Sequence, residues 1–160
     1  MSRTQPVAAN KAAGEDVERA VASAVPQLGL VPDDVALAYD AVATSAVFPG
    51  ADLPMVGLCV VERGTPVEIK SCQRRYSQRQ RGRYYLRPEQ HGALVETGGV
   101  YVFAVRDQSD DLLALKVVPA VTVGDLIPSW LDGGDGRSDY AQLAWSRLFR
   151  PAAVDGGASP

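Results

Sequence analysis

The chain has 160 residues, 46% of them hydrophobic and 22% charged, and a formal net charge of −3. This is an ordinary water-soluble composition, about one domain long and able to bury a core. No apolar stretch nears the ~20 residues of a membrane span, Met1 to Asn10 lacks a charged-then-apolar leader, and Cys59, Cys72 and the lone His91 are too few for a structural zinc site. A cytoplasmic protein with two reduced thiols is expected.

Residues 1–13 are small and polar, without periodicity, and read as a flexible start. Val17, Ala20, Val21, Ala24 and Val25 recur at helical spacing and predict a helix from Glu15 to Val25 that Pro26 breaks. The Ala- and Val-rich stretch Val35 to Val47 admits a strand, a helix or part of each. Leu53 to Val61 then predicts a strand, Glu62-Arg63-Gly64-Thr65 a hairpin turn, and Pro66 to Cys72 the returning strand. Residues 73–87 suit a loop. Pro88 opens a helix to Thr97, closed by Gly98-Gly99.

Val100 to Val105 has the continuous apolar run of a buried central strand. Asp107 to Asp111 turns the chain into another strand, Leu112 to Val118. Helices are expected over Thr122–Leu131 and from Ser138 to Phe149, with Trp130, Trp145 and Phe149 as core or a dimer face, and Arg150 to Pro160 frays. The order predicts an α/β domain, a mixed sheet with helices on both faces. It would span 14–149, with a core over 14–118 and C-terminal helices over 122–149, between flexible ends at 1–13 and 150–160.

Two features carry chemistry. Only three of the 16 basic residues are lysines, and one, Lys70, lies two positions from Glu68 in the strand Thr65 to Gln73. Residues two apart share a strand face, so a carboxylate and an ammonium project together, able to hold a divalent cation and position a water. An ion pair on an exposed sheet edge is the plainer alternative. The second feature is charge. Between Ile69 and Pro88 there is no acidic residue, while Lys70, Arg74, Arg75, Arg79, Arg81, Arg83 and Arg87 are basic. A concentrated basic segment on an acidic body points to phosphate, and the interleaved Tyr76, Tyr84 and Tyr85 offer stacking faces. No Gly-rich phosphate loop occurs, which argues against nucleotide-driven chemistry.

Gly14-x-x-x-Glu18, then Asp52 ahead of the hairpin, then Glu68-x-Lys70, resembles the PD-(D/E)xK nuclease superfamily, which includes type II restriction enzymes and archaeal Holliday-junction resolvases. The resemblance spans about residues 14–105. It implies Asp52 and Glu68 as ligands of Mg²⁺ or Mn²⁺, Lys70 as the water-positioning group, Glu18 as an auxiliary ligand and Gln73 as a polar helper. The aspartate is preceded by Gly50-Ala51 and followed by Pro54, and Asp40 is its rival. The resemblance further implies a DNA endonuclease of restriction-endonuclease-like fold, selective for structures or junctions, with Arg74, Arg75, Arg79, Arg81, Arg83 and Tyr84 on the nucleic acid. A homodimer suits cutting of two strands. The alternatives are a non-catalytic nucleic-acid-binding protein of the same fold and a protein–protein interaction module.

Overall fold

The computed structural model describes residues 18–23, 25, 28–31, 40–43, 61–76 and 80–155. Its frame is a five-stranded sheet in the order β1-β2-β3-β5-β6, built from Leu28–Leu30, Ala41–Ala43, Pro66–Gln73, Val100–Arg106 and Leu112–Pro119. All neighbours are antiparallel except β3 and β5, which run parallel over seven register pairs from Val67↔Val100 to Gln73↔Arg106. A parallel pair needs a long crossover. Here it is supplied by β4 (Arg83–Leu86) and the helix α2 (Pro88–Glu96).

The central strands form because their apolar runs satisfy both faces of the sheet. Tyr101, Phe103 and Val105 alternate into one core with Leu94 of α2, Val123 of α3 (Ala120–Leu126) and Val154 of α4 (Pro151–Val154). Val100, Val102 and Ala104 face the other core, with Val67, Ile69, Leu115 and Val21. Val21 belongs to the helical segment over 18–23, designated α1. The architecture is therefore α/β, a mixed sheet with helices on both faces, consistent with the restriction-endonuclease-like fold. Pro88 stands at the first position of α2, and Gly98, at φ 66°, ends it.

Several expectations change. The described antiparallel neighbour of β3 is β2; of the strand expected over 53–61, Val61 is buried and residues 53–60 lie outside the described residues. The 73–87 segment is not wholly a loop, since Arg83–Leu86 pairs with Ala141–Ala144, the strand β7, as a second small sheet. That pairing also replaces the helix expected from Ser138 to Phe149: the chain there is β7 and a short 3-10 turn, Trp145–Arg147. Trp145 and Phe149 are core, whereas Trp130 and Leu131 follow the shorter α3 and are exposed. α4, with buried Val154, orders part of the expected tail. Residues 1–17 and 156–160 fall outside the description.

Gly82 lets β4 leave β3 tightly. A Cβ at this position would lie 1.8 Å from the Gln73 carbonyl oxygen, a clash with backbone that cannot swing away. Gly92, in the middle of α2, faces open space. The two alanine substitutions should therefore have opposite signs. Gly82→Ala should destabilise by about 1–3 kcal/mol through overpacking, and Gly92→Ala should stabilise by about 0.5–1 kcal/mol through helix propensity, both measured by urea unfolding.

Candidate active site

β3 divides its side chains between the two cores. Val67 and Ile69 go to one; Glu68, Lys70 and Cys72 go to the other face. Glu68 is the one buried charged residue of the described chain, at 4% exposure. Lys70 Nζ lies 3.0 Å from Glu68 Oε1, and its side chain is 20% exposed. The pair is thus neither a solvated edge contact nor sealed from water.

The second carboxylate belongs to Asp40, the residue just ahead of β2. Ala41 faces Val67 and Val42 faces Pro66, and extending that register by one residue sets Asp40 opposite Glu68. The Asp40 N–H donates to the Val67 carbonyl at 2.9 Å, and the Ile69 N–H donates to Asp40 Oδ2 at 2.7 Å. Backbone and side chain of one residue so clamp β3 on both sides of Glu68. Opposed residues on antiparallel strands hold their Cβ atoms about 4.5–5.5 Å apart, and like charges there are unfavourable. Glu68 Oε2 finds no hydrogen-bond donor among the described residues. Burial pushes the Glu68 carboxyl up, Lys70 opposes this and Asp40 adds to it, for a pKa of about 7.

β5 walls the site. Tyr101 stands beside Glu68 and Phe103 beside Lys70 in the parallel register. The buried Tyr101 hydroxyl shares a 2.9 Å hydrogen bond with His91 Nδ1, and the His91 and Tyr101 rings stack at 5.9 Å. Burial, and then the Glu68 charge, raise the Tyr101 hydroxyl above its ordinary range, and burial lowers the His91 imidazole. Trp130 leans on His91 at 5.8 Å.

Of the residues singled out in the sequence, the structure brings together Glu68 and Lys70 and adds the rival Asp40. Asp52 and Arg79 lie outside the described residues. Glu18 lies in α1, half-buried. Gln73 ends β3 half-buried, and strand alternation sets it on the face opposite Lys70. Tyr84 is no nucleic-acid contact: it is 1% exposed, its hydroxyl donates to the Ala104 carbonyl at 3.1 Å, and its ring packs on Phe103 at 4.7 Å. Its neighbour Tyr85 is the exposed one. Cys72 is buried, and burial pushes its thiol up to about 12, so it is inert. In the sequence Tyr101 is only part of an apolar run, because its meeting with Glu68 depends on the β3–β5 register.

The residues fit a hard divalent cation. Two carboxylates converge, one with a buried oxygen that no donor satisfies, and Mg²⁺ is commonly held by one or two carboxylates with water and substrate oxygens completing its shell. Among the described residues, no group of three or more acidic, His or Cys side chains is placed to hold a metal ion. The chain belongs to the PD-(D/E)XK nuclease superfamily, whose domain matches residues 3–150. Among curated proteins, no relative matches.

The raised Glu68 pKa has a consequence for stability. Between about 4.5 and about 7 the folded protein holds a proton that the unfolded chain releases. This contribution is complete below the unfolded value and is lost as pH rises through 7. The metal-free protein should thus lose stability from pH 5 to pH 8, on the order of 2 kcal/mol from this group. Glu68→Gln, neutral and isosteric, should flatten that slope and raise the melting temperature at pH 8, as read by metal-free thermal melts across pH.

Proposed function

We propose that the protein is a metal-dependent DNA endonuclease, with Asp40 and Glu68 as ligands of Mg²⁺ or Mn²⁺ and Lys70 as the group that positions the attacking water. The convergence of Asp40, just ahead of β2, with Glu68 and Lys70 on β3 carries this reading, supported by membership of the nuclease superfamily. When bound, the cation supplies Lewis acidity and charge neutralisation at the scissile phosphate. The chain does the rest. Asp40, fixed by the Ile69 N–H, and Glu68, fixed by Lys70, define where the phosphate stands. The Lys70 ammonium donates to the incoming water oxygen and stabilises negative charge developing on the phosphoryl oxygens. Tyr101 excludes solvent from the inner side of Glu68.

Arg74, Arg75, Arg79, Arg81 and Arg83 supply phosphate contacts, and phosphate contacts position a substrate without reading its sequence. This favours selection by structure, as at branched or junction DNA, over a long recognition sequence. Action on two strands favours a homodimer related by a twofold axis. Glu18 is retained as an auxiliary ligand, and Asp52 as the alternative to Asp40.

Cleavage should stop in excess EDTA and return with Mg²⁺ or Mn²⁺, while Ca²⁺ supports binding alone. Lys70→Met should lower kcat by about 10²–10³, or about 2.7–4 kcal/mol, as for loss of one preorganised donor. The fold should survive, because Glu68 can take up a proton when its partner is removed. If Mn²⁺ affinity falls in step with kcat, Lys70 acts only through Glu68 and not on the water. Asp40→Asn keeps an acceptor for the Ile69 N–H but should abolish Mn²⁺ binding by calorimetry. Loss in Asp52→Asn instead would move the ligand to Asp52.

A further inference from the structure

The small sheet β4–β7 has one closed and one open face. Tyr84, Leu86, Ala141 and Leu143 point inwards and are buried. The outward set along β4 and its flanks is Arg81, Arg83, Tyr85 and Arg87, all exposed. Arg87 keeps an extended backbone, φ −118° and ψ 137°, so the alternation runs through it. Alternate strand residues lie about 6.8 Å apart. Arg81, Arg83 and Arg87 thus fall at alternate positions along about 20 Å of backbone, close to the rise of six base pairs at about 3.4 Å each.

Among the described residues, nothing on this face cancels the charge. The cross-strand partners of Arg83 and Tyr85 are Ala144 and Gln142. Arg83 Nη1 donates to Gln142 Oε1 at 3.3 Å, and Arg81 lies 5.4 Å over the Trp145 ring. Both contacts orient a guanidinium and leave it positive. The aromatic residues are already engaged: Tyr85 stacks on Tyr140 at 5.7 Å and its hydroxyl accepts from Gln142 Nε2 at 2.7 Å. The sheet is also mounted on the active-site face, because Tyr84 packs against Phe103, the strand partner of Lys70.

We infer that this outer face is a docking surface for the phosphate backbone of duplex DNA, with Arg81, Arg83 and Arg87 each on one phosphate and Tyr85, Gln142 and Tyr140 as a neutral floor between them. The inference rests on the nuclease reading for its assignment of the ligand as DNA. Planar forks match phosphate oxygens in pairs. A single strand would call for open stacking faces, and the Tyr85–Tyr140 stack takes up one face of each ring, whereas a duplex turns phosphates outwards and hides its bases. The ribbon then anchors a duplex arm beside Lys70 and leaves the catalytic groups to the scissile bond.

The test is fluorescence anisotropy of a short labelled duplex of arbitrary sequence, titrated in EDTA over a series of salt concentrations. Replacing Arg81, Arg83 and Arg87 together by alanine should reduce the slope of log affinity against log salt by about 2.7, at about 0.9 per phosphate, and the triple lysine variant should recover most of it. If the alanine triple does not fold, the single variants Arg81→Gln, Arg83→Gln and Arg87→Gln should each remove about 0.9. An unchanged slope overturns the inference, as does a lysine triple that recovers nothing, or tighter binding of a single strand with the same slope loss. Cleavage is scored separately. Loss of slope in a protein that never cuts sinks the nuclease reading alone, and cutting with an unchanged slope sinks the docking surface alone.

Discussion

The pairing of β3 with β5 sets the geometry of both the core and the candidate active site. Side chains alternate along a strand, so a slip of one residue in the seven-pair register would turn Glu68 and Lys70 into the core of Val100 and Val102 and turn Val67 and Ile69 out of it. Burying two ionisable groups among valines is far costlier than any single contact in the site is favourable. The apolar requirement therefore sets the active geometry. On the other edge, Asp40 makes the same register explicit by binding Val67 and Ile69 around Glu68. Long apolar pairing on one side and a side-chain clamp on the other leave β3 one place to sit.

That frame was legible in the sequence where periodicity is long. Val100–Arg106 and Leu112–Pro119 declare themselves by apolar runs, and α2 by its proline and glycines. The errors fall on short elements. β7 is Ala-Gln-Leu-Ala, made of strong helix formers, and only its pairing with β4 makes it a strand. β4 does show period two, with Tyr84 and Leu86 in and Arg83 and Tyr85 out. Arg83 and the arginines that flank it disguised it as a loop and made Tyr84 look like a stacking face. Glu68 and Lys70 could be read because both lie on one strand. Asp40 could not be chosen over Asp52, because β2 is three residues long and its partner is 26 positions away at Val67.

The site departs from the pattern that much of the core keeps. Two carboxylates stand opposed across strands, one buried oxygen has no donor among the described residues, and a carboxyl is held near pH 7 by burial. Elsewhere, several polar groups that reach the core are satisfied: Tyr84 finds the Ala104 carbonyl, Trp145 Nε1 finds the Arg74 carbonyl at 2.8 Å, and Lys116 Nζ finds the Leu148 carbonyl at 2.7 Å. A sequence that can satisfy these groups but leaves Asp40 against Glu68 has kept a local cost where consistency would remove it. A cation between the carboxylates would relieve that repulsion and occupy the open oxygen. On the proposed function, folding energy forgone at these carboxylates would become binding energy for the ion.

Charge placement follows the same logic. The chain carries −3 overall although Ile69 to Pro88 holds seven positive charges, so its remaining residues carry −10. At physiological salt, exposed charges are screened beyond about 8 Å. For a polyanion at a distance, the molecule is weakly repulsive; attraction begins only when the β4 face is within reach. A surface of this kind would contribute orientation together with salt-dependent affinity. The orientation it sets is relative to β3, because Tyr84 on the inner side of β4 rests on Phe103, and Phe103 pairs with Lys70. One four-residue strand thereby joins the outward charges to the register that places Glu68 and Lys70, through the alternation of its own side chains.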